Sequence, residues 1–206
     1  MPAEAEGLRE AMLALERGQL IAFPTDTVYA LACRATEPAA VARFYDAKQR
    51  PPGQPAILLS HNLGSLRHWV KFKPRALQMA ELFWPGPLTQ VLPLSQRALA
   101  RMPIAERSAL EAISLDGTVG VRVPGHAVAY DVLWAWGMPL CTSSANRAGE
   151  QPPRTGEQVV DALGDAVSVV LDGECPLGVA SSILDLTSRK PRVLREGAIP
   201  AEELLR

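Results

Sequence analysis

The sequence predicts a single α/β domain over residues 1–206, built on a large, twisted, partly mixed sheet. Three observations lead there. Short apolar runs of strand length alternate with stretches of helical spacing along the whole chain. No break in composition separates one unit from another. A length of 206 residues is that of one domain with a substantial core.

The elements follow in order. Leu8, Met12, Leu13 and Leu15 repeat at helical spacing and stop before Gly18, a helix terminator; Leu20 to Phe23 then reads as a buried strand closed by Pro24. Val28 to Cys33 is apolar with little alternation, as expected of a strand covered on both faces. Pro38 to Ala47 predicts a helix with proline in its first turn, and Ala56 to Ser60 a strand. Leu63 to Val70 and Pro74 to Phe83 predict helices, followed by the turn Trp84-Pro85-Gly86-Pro87 and a strand from Leu88 to Leu94. Ser95 to Gly117 reads as surface loops with a short helix near Glu106 to Ile113. Thr118 to Val123 and Pro139 to Ser143 are strands flanking a helix from His126 to Trp136. Asn146 to Gly156, rich in Gly, Pro and charge, is a loop. A helix from Glu157 to Leu163, strands near Val167 to Leu171, Ser182 to Leu186 and Arg192 to Leu194, and a terminal helical stub complete the chain.

Composition excludes several classes. Lys plus Arg is 21 against 22 for Asp plus Glu, a net charge of −1, so nonspecific polycation behaviour is excluded and cations act only in local patches. No apolar run approaches the roughly 20 residues that cross a bilayer. The acidic start Met1-Pro2-Ala3-Glu4 lacks a signal core, and Cys33, Cys141 and Cys175 are widely spaced and odd in number, so a cytoplasmic location is expected. His61 and His68 have no carboxylate or thiol companions at ligand spacing, and there is no Gly-x-Ser-x-Gly elbow or ordinary P-loop.

Candidate chemistry sits where strands give way to polar turns, because a sheet positions its loops rigidly. Pro24-Thr25-Asp26-Thr27-Val28-Tyr29 brings hydroxyls and a phenol between two strands. Lys48 and Arg50 follow a helix and precede a strand, where cations also complement a helix dipole. Arg122, in a strand otherwise made of valines, is either an edge residue or a binder of anions, since burial without an anionic partner is costly. Thr142-Ser143-Ser144-Ala145-Asn146 offers hydroxyl and amide groups to an oxyanion, or caps the next segment. Ser181-Ser182 and Arg195-Glu196-Gly197 are further candidates.

Taken in order, Pro24 to Tyr29, Lys48-Gln49-Arg50-Pro51, Pro85 to Thr89, Val121-Arg122-Val123-Pro124, Ser144-Ala145-Asn146 and Arg195-Glu196-Gly197 resemble the YrdC-like family of threonylcarbamoyl-AMP synthases, from about Leu8 to Gly197. The resemblance implies a cavity in the sheet where ATP, L-threonine and bicarbonate give threonylcarbamoyl-adenylate and pyrophosphate, the product serving partner proteins that modify tRNA. It implies Lys48, Arg50, Thr118, Ser144, Asn146 and Arg195 on ATP, with Lys48 and Arg50 catalytic. It also implies Thr25, Tyr29, Arg122 and Ser181 on threonine, and Mg2+ arriving with ATP without dedicated protein ligands. Nothing follows Arg206, so the short form without an extra C-terminal domain is expected. Tyr29-Ala30-Leu31-Ala32 departs from the family's usual Tyr-Gly-Leu-Gly, placing two methyls where glycines are common. That spelling also fits a paralogous branch of uncertain activity. A reading from another class is an RNA-binding or ribosome-associated module, for which Lys71-Lys73-Arg75 and Arg189-Lys190-Arg192 supply cations.

Overall fold

A computed structural model describes residues 3–50 and 54–206; Pro51, Pro52 and Gly53 of the lysine-arginine loop lie outside the described residues. The elements run α1 (Ala3–Glu16), β1 (Ile21–Phe23), β2 (Ala30–Arg34), α2 (Pro38–Ala47), β3 (Ile57–Leu59), α3 (Leu63–Leu66), α4 (Pro74–Phe83) and β4 (Leu88–Pro93). There follow α5 (Gln96–Leu99), α6 (Ile104–Ala112), β5 (Thr118–Arg122), α7 (Ala127–Trp136), β6 (Leu140–Ser144), α8 (Gly156–Leu163), β7 (Val169–Val170), β8 (Ser182–Asp185), β9 (Arg192–Arg195) and α9 (Ala201–Leu204). The expected elements are present, with two differences. The helix expected to run to Val70 ends at Leu66, because Trp69 and Val70 turn inward and Val70 bridges to Leu94. The stretch after Ser95 holds two helices rather than one; α5 is capped by the Ser95 side chain, which accepts from the Ala98 N–H.

Nine strands form one mixed sheet in the order β7-β1-β2-β6-β3-β5-β4-β8-β9. β1–β7, β3–β5 and β4–β8 pair in parallel, the other neighbours antiparallel.

The two faces of this sheet differ in side-chain size, because alternate residues of a strand point to opposite sides. One parity carries Leu31, Leu58, Leu88, Leu92, Val119, Val121 and Leu184, which build the larger core with Phe44 and Tyr45 of α2, Met79 of α4 and Leu110 of α6. The other parity carries Ala30, Ala32, Thr142, Ser144, Gly120 and Thr89, matched across strands in register. α1 and α7 cover only part of that second face, through Leu15, Val132 and Leu133 against Ile21, Phe23 and Leu140. Over the rest, small side chains leave the space unfilled.

Candidate active site

That unfilled space is a cavity of about 450 Å³, floored by β2 to β6 and β8 and walled by the turns at their ends. An alanine at Gly120 would bring a Cβ to 3.2 Å from both Ile57 Cγ1 and Thr89 Cγ2, so this glycine keeps the floor low.

Nine of the ten residues expected to bind ligand line it: Thr25, Tyr29, Lys48, Arg50, Arg122, Ser144, Asn146, Ser181 and Arg195. Thr118 does not. It shares a face with Gly120 and Arg122 but stands beyond the end of the cavity, and its hydroxyl turns back to donate to the Leu115 carbonyl (2.8 Å).

Lys48 and Arg50 owe their position to the end of α2. Gln49 adopts a left-handed conformation (φ 50°), with Gln49 N donating to Asp46 O and Arg50 N to Tyr45 O, the paired bonds of a Schellman ending built without glycine. The chain reverses there. Lys48, buried, sends Nζ to the carbonyls of Ser144 and Asn146 at 2.6 Å each. Burial, and secondarily Arg50, pushes its pKa down to about 8. Arg50 donates from Nε to the Gln54 amide oxygen and from Nη2 to Pro55 O (3.1 Å). The Arg195 side chain, on β9, is held by Ser181 alone among the described residues, Nε donating to the carbonyl at 3.0 Å and Nη2 to the hydroxyl at 3.2 Å; the Ser181 hydroxyl also meets Thr89 Oγ1 at 2.8 Å.

None of these three cations is in a salt bridge among the described residues. Neutral oxygens hold them; Glu150 offsets part of the Lys48 charge from outside the lining, and no carboxylate lines the cavity beside them.

Arg122 behaves differently: its strand is not at the edge of the sheet, and the first anion it binds is a carboxylate of the protein itself. β5 is a central strand, and the anionic partner is inside the protein: Nη2 contacts Asp26 Oδ1 at 2.6 Å, Nη1 donates to Thr27 Oγ1 at 2.9 Å and Nε to Gly86 O at 2.9 Å. Asp26 Oδ1 also accepts from Gly125 N (3.0 Å). Burial lowers the Arg122 pKa and the Asp26 charge opposes that shift. Three of the five guanidinium N–H groups are committed, leaving two for a ligand.

The polar turn between β1 and β2 is largely self-satisfied. Thr25 Oγ1 accepts from Thr27 N and Val28 N and lies 2.7 Å from Val28 O, where its one proton goes; Thr27 Oγ1 lies 2.9 Å away. Thr25 therefore shapes the turn. The Tyr29 hydroxyl donates to Gly173 O (2.9 Å), and burial, with Asp172 adding to it, pushes its pKa up to about 12. Asn146 offers more: its Nδ2 donates to the Arg147 and Glu150 carbonyls, while its buried Oδ1 has no partner. A ligand donor would satisfy that oxygen.

Asp26 and Thr27 were not among the expected binding residues. The signal was a carboxylate inside a hydroxyl-rich turn, together with an arginine needing an anion, but nothing in the sequence joined the two. No Asp or Glu lines the cavity, and no group of three or more His, Cys, Asp or Glu side chains could hold a metal among the described residues. No described helix is long and apolar enough to cross a membrane.

Comparison with known proteins follows the same outline. A family model named for Sua5, YciO and YrdC and described as "Telomere recombination" matches residues 13–197. The threonylcarbamoyl-AMP synthase of Pyrococcus abyssi is 35% identical over 192 residues, 92% of this chain and 54% of that protein. A putative threonylcarbamoyl-AMP synthase of Mycobacterium tuberculosis is 36% identical over 202 residues, 97% of this chain and 88% of that one. The crystal structure of P. abyssi Sua5 complexed with L-threonine superposes with a TM-score of 0.84 at 34% identity, covering 98% of this chain and 56% of that one. The chain thus spans about half the length of the Pyrococcus sequence and of the Pyrococcus structure, and most of the mycobacterial protein.

Proposed function

The chain belongs to the Sua5/YciO/YrdC family, and on that premise we propose that it is a threonylcarbamoyl-AMP synthase. The observation that carries the proposal is the convergence of Lys48, Arg50 and Arg195 on one cavity without a carboxylate partner. Such a site attracts a polyanion, and ATP supplies one. The P. abyssi relative whose structure contains L-threonine supports an amino acid as the second substrate.

In the proposed reaction the threonine amine bonds to the carbon of bicarbonate and water leaves, giving a carbamate. A carbamate oxygen, already anionic, attacks the α-phosphorus of ATP; the bond to the pyrophosphate oxygen breaks and threonylcarbamoyl-adenylate remains. No strong protein base is required. The work left to the protein is positioning and charge stabilisation. Lys48, Arg50 and Arg195 neutralise the triphosphate and the charge that develops on the departing pyrophosphate. The two uncommitted N–H groups of Arg122 receive the threonine carboxylate, and Asn146 Oδ1 takes a ligand donor. With no carboxylate in the lining, Mg2+ would be held by phosphate oxygens and arrive with the nucleotide, where it spreads phosphate charge. The adenylate passes to proteins that modify an adenosine of tRNA.

The test is pyrophosphate release from ATP with and without L-threonine and bicarbonate, with mass-spectrometric trapping of the adenylate. Lys48→Ala and Arg50→Ala should each lower the rate by roughly a hundredfold or more. Pyrophosphate release independent of threonine, or parental rates in both variants, would discard the assignment.

A further inference from the structure

Ser181 carries one hydroxyl proton, and the residue that decides where it points is Thr89 of β4. Thr89 belongs to the cavity floor but is 0% exposed, and its hydroxyl meets a single polar atom among the described residues, Ser181 Oγ at 2.8 Å. Its rotamer is set by the methyl. A Cβ built on Gly120 would lie 3.2 Å from Thr89 Cγ2, so the methyl sits over that glycine, and a β-branched side chain has few alternatives once its methyl is placed. The two hydroxyls meet because β4 and β8 pair in parallel, with Leu88 opposite Ser182 and Ser182 N donating to Pro87 O at 3.0 Å.

The direction of the bond follows from satisfying both groups. A buried O–H with no acceptor bears its full desolvation penalty, and Thr89 has no described acceptor but Ser181. Thr89 is therefore the donor. Ser181 Oγ then accepts twice, from Thr89 and from Arg195 Nη2 at 3.2 Å, which fills both of its lone pairs. Its own proton has no acceptor among the described residues, and Ser181 lines the cavity together with Arg195. Such a hydroxyl can only donate. Arg195 commits two of its five N–H groups to Ser181, so it too presents donors alone. A group that accepts from a hydroxyl and a guanidinium side by side is an oxyanion, since an ammonium or amide N–H would find no acceptor there.

We propose that Thr89 is a positioning residue: by donating to Ser181 it makes that hydroxyl an obligate donor to a substrate oxyanion shared with Arg195. The proposal rests on the synthase reading for the identity of that oxyanion, a phosphate oxygen of ATP or the carboxylate of L-threonine. Thr89→Val keeps the branched outline and removes the donor. One lone pair of Ser181 then empties, and nothing holds its proton towards the ligand.

The experiment measures equilibrium affinities for ATP and for L-threonine, with pyrophosphate release beside them, in the parent, Thr89→Val, Thr89→Ser, Ser181→Ala and Thr89→Val/Ser181→Ala. Thr89→Val should weaken binding of one substrate by roughly fivefold or more, and Thr89→Ser should recover it to within roughly twofold. A loss confined to ATP makes the oxyanion a phosphate; a loss confined to threonine makes it the carboxylate. Because Thr89 acts through Ser181, the double variant should bind no more weakly than Ser181→Ala alone. A residue that only supports the fold would instead weaken both substrates and add its loss to that of Ser181→Ala. Parental affinities in Thr89→Val, no recovery in Thr89→Ser, or additive losses in the double variant overturn the proposal. A parental protein that binds ATP and threonine with this pattern but forms no adenylate loses the synthase reading and keeps this one. Adenylate formation with Thr89→Val equal to the parent does the reverse, and a parent that binds neither substrate overturns both.

Discussion

Arg122 Nη2 stands 2.6 Å from Asp26 Oδ1 with both side chains more than nine-tenths buried, joining a central strand of the sheet to the turn between β1 and β2. This pair fixes the orientation of the guanidinium that faces the proposed threonine site, and its Nη1 bond to Thr27 continues into the Thr25 turn.

Removing one member of a buried ion pair leaves the other charged and unpaired. Asp26→Ala should therefore cost about 3–5 kcal/mol in urea unfolding. Asp26→Ala/Arg122→Met should cost less than the two single changes added together, the excess measuring their coupling. Additive losses would show that the two side chains act independently.

Lys48 gives a prediction in pH. Its folded value of about 8 lies below the 10.5 of an unconstrained lysine. Below pH 8 both folded and unfolded chains hold the proton, and the burial penalty is fully present. Between about 8 and 10.5 the unfolded chain holds more protons, so this group makes stability rise with pH. Lys48→Met should lose that component of the slope. ATP prefers the charged form, so parental affinity for ATP should weaken as pH rises through about 8, with no such inflection in Lys48→Met. A parental ATP profile flat from pH 7 to 9.5 would rule out a titrating Lys48 at the phosphates.

Ser181 is the only residue hydrogen-bonded to the Arg195 side chain among those described, and Gly197 allows the close approach of the chain there. A Cβ at Gly197 would collide with the Ala180 carbonyl and come within 2.7 Å of the Ser181 carbonyl. Gly197→Ala should cost about 1–3 kcal/mol by overpacking and raise KM for ATP by displacing Arg195. Ser181→Ala keeps the backbone bond, so it should raise KM for ATP more mildly and cost about 1 kcal/mol. Equal KM values in both variants and the parent would remove Arg195 from ATP binding.

Much of this site was legible because strand ends carry polar motifs, and strands can be found from apolar runs. Nine expected residues met because the sheet brings distant strand ends together, which a local pattern cannot show by itself. Thr118 illustrates the limit. Its spacing from Gly120 and Arg122 gives the correct face, but where along the strand a cavity stops depends on neighbours contributed by β3, β4 and β8. The Asp26–Arg122 pair was invisible for the same reason, being 96 residues apart in sequence. The alternation of small and large residues in Ala30-Leu31-Ala32-Cys33 and Thr118-Val119-Gly120-Val121 was present in the sequence. It became a statement about a cavity only once register set the small residues side by side.

That same register separates the two alanines that stand where the family commonly has glycine. Ala30 lies on the cavity floor opposite Ser144, while Ala32, two residues along, is buried with α1 and α7 covering that part of the face. Glycine in a strand costs about 0.5–1 kcal/mol relative to alanine, so Ala30→Gly and Ala32→Gly should lose similar stability. Only Ala30→Gly deepens the cavity, and it alone should lower KM for a substrate. The reverse changes diverge further. Ala30→Val should raise KM by filling the floor, whereas Ala32→Val should leave KM unchanged and cost about 1–3 kcal/mol by overpacking against the helices. Steady-state kinetics of the four variants, with urea unfolding beside them, would decide it: a KM that responds to residue 32 as strongly as to residue 30 would mean that the cavity reaches under α1 and α7.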